Sequence, residues 1–228
     1  MPRESTANKI ARARKITAAL EQVYPQAHCE LNFSSPLELL VATILSAQCT
    51  DKRVNLVTAG LFKKYAGAGA FAAAELAGLE TDVRSTGFYK HKARNIKAAC
   101  AAIVARHGGR VPQTMAELIQ LDGVGRKTAN VVLGSAFGLN DGVVVDTHVG
   151  RLARRLGFTA QTDPEKVEQD LMVLVQREKW ALFSHLLIWH GRRRCAARKP
   201  DCEHCELLAL CPRLGVKAKP SAAAAHKA

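Results

Sequence analysis

Helix punctuation recurs along this chain at short intervals, and little in it has the character of a strand. Ser35-Pro36-Leu37-Glu38 sets a capping serine, a first-turn proline and a third-position glutamate in order. Leu37, Leu40, Val41, Ile44 and Leu45 then share one face at helical spacing. The same pattern predicts a helix over residues 51 to 65, with Val54, Val57 and Leu61 inward. Another runs through Ile96, Cys100, Ile103 and Val104 and is stopped by Gly108-Gly109. Thr114 and Glu117 make a second capping box, which puts Leu118 and Ile119 on a buried side. Ala129, Val132, Leu133 and Ala136 line the next helix, which Gly138 ends. Asp163-Pro164-Glu165 opens a later one, and residues 179 to 190 give one more. Val143-Val144-Val145 is a short β-branched run, but a lone strand has no partner, so an extended connector is expected there. The expected fold is all-α with short loops. The first dozen residues are polar and basic, and the end, KAKPSAAAAHKA, is low in complexity and expected to be disordered.

Charge narrows the partner. Lys and Arg outnumber Asp and Glu by 33 to 20 among 228 residues. Such a surplus favours a polyanion, because each phosphate contact releases condensed counterions. A membrane surface is the weaker alternative, since no apolar run approaches the roughly 20 residues that span a bilayer. The start, MPRESTANKIARARK, lacks the apolar core of a secretory signal, so the cytoplasm is the expected location and secretion is not.

The stretch LDGVGRKTAN, residues 121 to 130, superficially resembles a nucleotide-binding phosphate loop. That motif needs Gly-x-x-x-x-Gly-Lys-Ser/Thr after a strand. Here Arg126 stands where the second glycine belongs, Leu121 where the first belongs, and a helix precedes. What remains is a helix, a tight Gly-x-Gly hairpin and a second helix. Gly123 and Gly125 admit backbone angles closed to other residues and leave the amides uncovered, which suits a nucleic-acid phosphate at a helix N-terminus. The same glycines equally fit a corner whose only demand is geometry. Lys127 and Thr128 occupy the first turn of the second helix, where a cation opposes the helix dipole unless chemistry uses the amine as a nucleophile. Asp146, after the valine run, suits an N-cap, a role compatible with catalysis because a capping carboxylate is held rigidly. His148 is expected to be packed or hydrogen-bonded and not a general base.

Four of the seven cysteines crowd together as Cys195-x6-Cys202-x2-Cys205-x5-Cys211. In a chain with no export signal such clustering suggests metal and not disulfides. Zinc sites usually draw on two short Cys pairs, and only one exists here; spacing alone leaves both zinc and an iron–sulfur cubane open. Cys29, Cys49 and Cys100 have the look of packed positions.

LDGVGRKTANVVLGSAFG followed by VDTHVGRLARRLGF resembles the helix-hairpin-helix, Gly/Pro-rich, aspartate-containing superfamily of DNA glycosylases. The likeness runs from about residue 10 to residue 213 and includes LLVATILSAQCTDKRVN, STGFYKHKARNI and the cysteine cluster in the same order. It implies two helical domains flanking a DNA-binding cleft. A six-helix domain with the hairpin would cover residues 28–140, and an iron–sulfur cluster domain residues 1–27 plus 141–213, with a basic tail at 214–228. Lys127 matches the family's nucleophile and Asp146 its carboxylate, at the mouth of that cleft. The implied activity is that of a bifunctional DNA glycosylase and abasic-site lyase. It would flip an oxidised pyrimidine from the duplex, attack the sugar C1′, form a Schiff base and cleave by β-elimination on the 3′ side. Adenine-excising relatives lack a lysine here; adenine or mismatched thymine as substrate, and DNA binding without catalysis, are the rival readings. The cysteines match ligands of a [4Fe–4S] cluster. Gln48 and Phe88 match residues that fill the gap left by the flipped base, although leucine is common where Phe88 stands. Lys90, Lys92 and Arg94 are expected to hold phosphates, as are Arg126, Thr128 and the basic run Arg192, Arg193, Arg194, Arg198 and Lys199. The implied partner is double-stranded DNA with damaged bases or abasic sites, bound by a monomer at the bacterial nucleoid.

Overall fold

The computed structural model describes residues 4–216. Among them there are helices and turns and no strand. In order, the α-helices are α1 (Thr6–Val23), α2 (Pro36–Ser46), α3 (Asp51–Lys64), α4 (Gly67–Ala73), α5 (Leu76–Asp82) and α6 (Tyr89–His107). They continue with α7 (Met115–Leu118), α8 (Arg126–Ala136), α9 (Thr147–Arg155), α10 (Pro164–Leu174) and α11 (Trp180–Arg193). Short 3-10 turns lie at Arg84–Thr86, Arg177–Lys179 and Leu208–Leu210. None of the helices is long and apolar enough to cross a membrane.

The starts follow from local chemistry. Ser35, Thr50, Thr114, Asp146 and Asp163 each accept a first-turn backbone N–H through the side chain, which satisfies a donor that no helix can pair internally. The stops are as local: Gly108 ends α6 at φ 59°, in left-handed backbone where glycine alone is unstrained.

The chain divides into two compact units. The larger comprises Gln26–Val144 and Gln176–His185. Its centre is α2, buried continuously from Leu39 to Leu45 and packed against α3, α6 and α8. Leu39, Leu40, Leu45, Phe71, Leu79, Ile96, Ile103, Leu118 and Leu133 are fully buried there, each worth about 1.5–3 kcal/mol of apolar transfer. The described residues of the smaller unit are 4–25, 145–175 and 186–216. In it α1 packs on α10, and α10 on α9, with Ile16, Leu20, Leu152 and Leu171 at 0–1 % exposure forming the seam.

The structure departs from the sequence expectation in several places. Two helices, α4 and α5, were not anticipated. Ile119 is 44 % exposed, because α7 ends at Leu118 and turns its successor outward. Residues 176 to 185 group with the larger unit. Of the tail, Leu214–Val216 are placed, with the Leu214 N–H donating to the Arg155 carbonyl at 3.0 Å, while residues 217–228 lie outside the described residues.

Candidate functional site

In the larger unit, α7 and α8 are the two helices of the hairpin, and Leu121 and Val124 anchor the loop between them in the core at 3 % and 5 % exposure. The two glycines differ. Gly123 lies at φ 76°, and a Cβ there would meet the Asn95 side chain of α6 at 2.7 Å. Gly125, the N-cap of α8, has φ −90° and ψ 175°, ordinary extended backbone, and a Cβ on it would meet nothing within 4 Å. The expectation that both require glycine angles therefore holds for Gly123 alone. Gly125 also gives α8 no side-chain cap, so the first-turn donors that side chains satisfy at Asp146 or Thr114 have no such acceptor here. Lys127 is exposed on this turn, with Arg126 and Thr128 half-buried beside it.

Two more loops of this unit carry site residues. After α2, the Cys49 N–H donates to the Ser46 carbonyl at 3.0 Å, and Ala47 (φ −56°, ψ 114°) precedes Gln48 at φ 53°. Those angles match a type II turn with Gln48 at the position that favours glycine. Phe88, 63 % exposed, starts α6 from left-handed backbone at φ 49° and ψ 28° with no capping bond. Neither residue type suits its backbone, and non-glycine residues held this way concentrate where function requires them. Lys92 does not face solvent as a phosphate ligand would. It is buried, and its ammonium donates to the Leu45 and Thr86 carbonyls, each at 2.8 Å. Lys90 and Arg94 are exposed.

In the smaller unit, Asp146 caps α9 by accepting from the Val149 N–H at 2.8 Å. His148 is hydrogen-bonded, its Nδ1 accepting from Arg151 at 3.1 Å; burial pushes its pKa down, against the opposing pull of the Asp146 carboxylate. The four clustered cysteines line one cavity together with Leu152, Leu156, Leu207, Leu208 and Val216. Arg155 of α9 donates to the Cys195 Sγ at 3.1 Å and to the Ala196 and Ala197 carbonyls at 2.8 Å. Arg151 donates to the Gly191 and Cys195 carbonyls. Burial pushes the His190 pKa down to about 4, so the ring is neutral, placed between the Tyr24 hydroxyl at 3.1 Å and the Cys205 Sγ at 3.4 Å. Arg194, expected to face phosphates, instead pairs with Asp201 at 2.8 Å and Glu206 at 2.9 Å. Arg193 lies 3.9 Å over the Trp189 ring.

The donor set bears on what the cysteines hold. Tetrahedral thiolates at about 2.3 Å from one zinc ion stand roughly 3.8 Å apart. Among the described residues, the group whose ligand atoms all lie within 4.8 Å of one another is His190, Cys205 and Glu206. The four sulfurs are therefore not all within 4.8 Å of one another. Sequence reasoning missed Arg151, Arg155 and His190. Each lies on a helix face turned to the cysteines, a relation between distant segments that spacing along the chain does not express.

A family model described as HhH-GPD superfamily base excision DNA repair protein matches residues 41–177. The chain is 53 % identical over 206 residues to endonuclease III of Synechocystis sp., covering 90 % of this chain and 94 % of that relative. It belongs to the HhH-GPD superfamily of base excision DNA repair proteins, and within it to the endonuclease III family. Among solved structures it is similar to endonuclease III in a non-covalent complex with DNA (TM-score 0.84, 45 % identity, 90 % of this chain and 95 % of that one). A trapped covalent endonuclease III–DNA intermediate is equally similar (TM-score 0.85, 45 % identity, 90 % and 96 %).

Proposed function

We propose that the chain is a bifunctional DNA glycosylase and abasic-site lyase of base excision repair, acting on oxidised pyrimidines in duplex DNA. The observation that carries this reading is Lys127, an exposed amine in the first turn of α8, two residues after an N-cap with no side-chain cap and no neighbour within 4 Å of its would-be Cβ. A phosphate seated at that turn holds the strand while the amine reaches the adjacent sugar. The Lys127 Nζ attacks C1′, and the base departs with the electrons of the glycosidic bond and takes up a proton. Loss of the amine proton and ring opening give an iminium, or Schiff base, between Nζ and C1′. That iminium acidifies the proton on C2′; its removal expels the 3′ phosphate by β-elimination, and water then frees the lysine. Asp146, fixed by its capping bond to Val149, assists by stabilising positive charge at the sugar and by proton transfer. Gln48 and Phe88 occupy the gap left by the displaced nucleotide, and Arg126 and Thr128 with the glycine hairpin hold phosphate.

Cys195, Cys202, Cys205 and Cys211 would hold a [4Fe–4S] cluster. When bound it supplies cross-links that tie down a segment too short to form its own core. The protein's own residues position that segment: Arg155 and Arg151 grip the Cys195 end from α9, and His190 braces Cys205.

Borohydride reduction during incubation with abasic-site duplex tests the nucleophile. The parent chain should yield a covalent adduct and Lys127→Gln none, while Asp146→Asn should still bind the duplex and trap more slowly. No adduct from the parent, or equal trapping by Lys127→Gln, would sink the assignment.

A further inference from the structure

Lys92 is 4 % exposed, an unusual place for an ammonium. Burying such a charge is costly unless the protein replaces its water. Two backbone carbonyls do so, Leu45 O and Thr86 O, each at 2.8 Å. They belong to the two places where the chain leaves regular structure toward Gln48 and Phe88. Leu45 lies in the last turn of α2, whose terminal carbonyls lack helical partners and carry the negative end of the dipole. Thr86 closes the 3-10 turn that leads through Gly87 to Phe88. One ammonium therefore ties the roots of both loops, which lie 41 residues apart in the chain, as the two positions show. At their tips Gln48 and Phe88 hold left-handed backbone at φ 53° and 49°. Such angles are strained for non-glycine residues and persist only where the surroundings over-determine them.

We propose that Lys92 is a positioning residue that joins the Gln48 and Phe88 loops into a single wedge, so that both tips enter the duplex in register as the nucleotide leaves it. This rests on the glycosylase reading above and on the assignment of those two tips. Lys92 touches no reacting atom; it acts through the backbone of the two loops. The ammonium is the side chain suited to this, since it offers three donors at one point and reaches two carbonyls from different segments.

The test is a cycle of variants read at two steps. Lys92→Met keeps the length and removes the donors; Lys92→Arg keeps charge and donors. Single-turnover excision of an oxidised pyrimidine from duplex requires wedge entry, whereas borohydride trapping on single-stranded abasic DNA requires Lys127 but no gap to fill. Lys92→Met should slow duplex excision by roughly 10- to 100-fold, the scale of a misplacement of about 1 Å. Trapping on the single strand should change by less than about threefold, and Lys92→Arg should recover part of the excision rate. In a Gln48→Ala, Phe88→Ala background Lys92→Met should add little further loss, because the tips it aligns are gone. A fully additive loss in that background, or a parallel fall in excision and single-strand trapping, overturns the assignment. Should Lys92→Met fail to fold, Lys92→Gln, which keeps amide donors, carries the same cycle with the same expected non-additivity. A parent chain that neither excises nor traps overturns the glycosylase reading and this inference with it; an active parent with an additive cycle overturns this inference alone.

Discussion

Gly123 and Gly125 stand two positions apart and are glycine for different reasons. Gly123 answers to the protein: its φ of 76° and the Asn95 side chain 2.7 Å from a would-be Cβ leave no room for any other residue. Gly123→Ala should therefore lose about 2 kcal/mol or more of unfolding free energy in denaturant titration. A loss under about 0.5 kcal/mol would show that the hairpin relaxes around a methyl group. At Gly125 neither backbone angle nor a neighbour calls for glycine. The residue types of this loop were legible in the sequence, but the division of labour was not, since backbone angle and the neighbour across the hairpin are invisible in a string of letters. Lys92 teaches the converse. It stands four residues before Ile96 and eight before Cys100, on the face that turned out buried. The helical period held the signal, but the charge of the residue argued against reading it as core.

At the scale of the helix, the N-terminus of α8, like those of α4 and α6, has no side-chain cap. Six other helices begin with a Ser, Thr or Asp whose oxygen satisfies a first-turn donor, and the chain could have placed the same here. Gly125→Ser should stabilise α8 by a few tenths of a kcal/mol, leaving thermal unfolding unchanged or slightly raised. It should at the same time weaken binding to abasic-site duplex by roughly 10-fold, because the hydroxyl takes the donors and the space of a phosphate. Unchanged affinity in a folded Gly125→Ser protein would remove this helix end from the DNA interface. Helices with a strong cap and a broad apolar face, such as α2 and α10, were legible from sequence for just those reasons. α4 was hidden by composition: it is Gly67-Ala-Gly-Ala-Phe71-Ala-Ala, with Phe71 the large apolar side chain that fastens it. In α1 the buried stripe is only Ala13, Ile16, Thr17 and Leu20, narrow enough for basic residues to mask it.

For the whole molecule, charge and topology act together. A formal net charge of +13 accords with a polyanionic partner, and that much composition alone conveyed. The cysteine cluster was legible from its spacing, whereas its support from α9 was not, because it joins residues 40 or more positions apart. Protein prepared anaerobically should show a broad visible absorption band with iron and sulfide in equal amounts. Removing that metal should strip hydrogen-exchange protection from residues 195 to 216 and α9 before the larger unit loses its own. Colourless protein with stoichiometric zinc would replace the cluster by another metal. Topology adds a different demand. Arg12 of α1 donates to the Leu156 carbonyl at 2.7 Å and the Leu210 carbonyl at 3.1 Å, partners 144 and 198 residues further along the chain. At a synthesis rate of about 5–20 residues per second, Leu210 is made roughly 10 to 40 seconds after Arg12. For most of that interval Ile16 and Leu20 have been translated while Leu152 and Leu171, across the seam, have not. α1 therefore leaves the ribosome early and is among the last of these helices to find its place, and this interval is when the nascent chain most needs shelter from its neighbours.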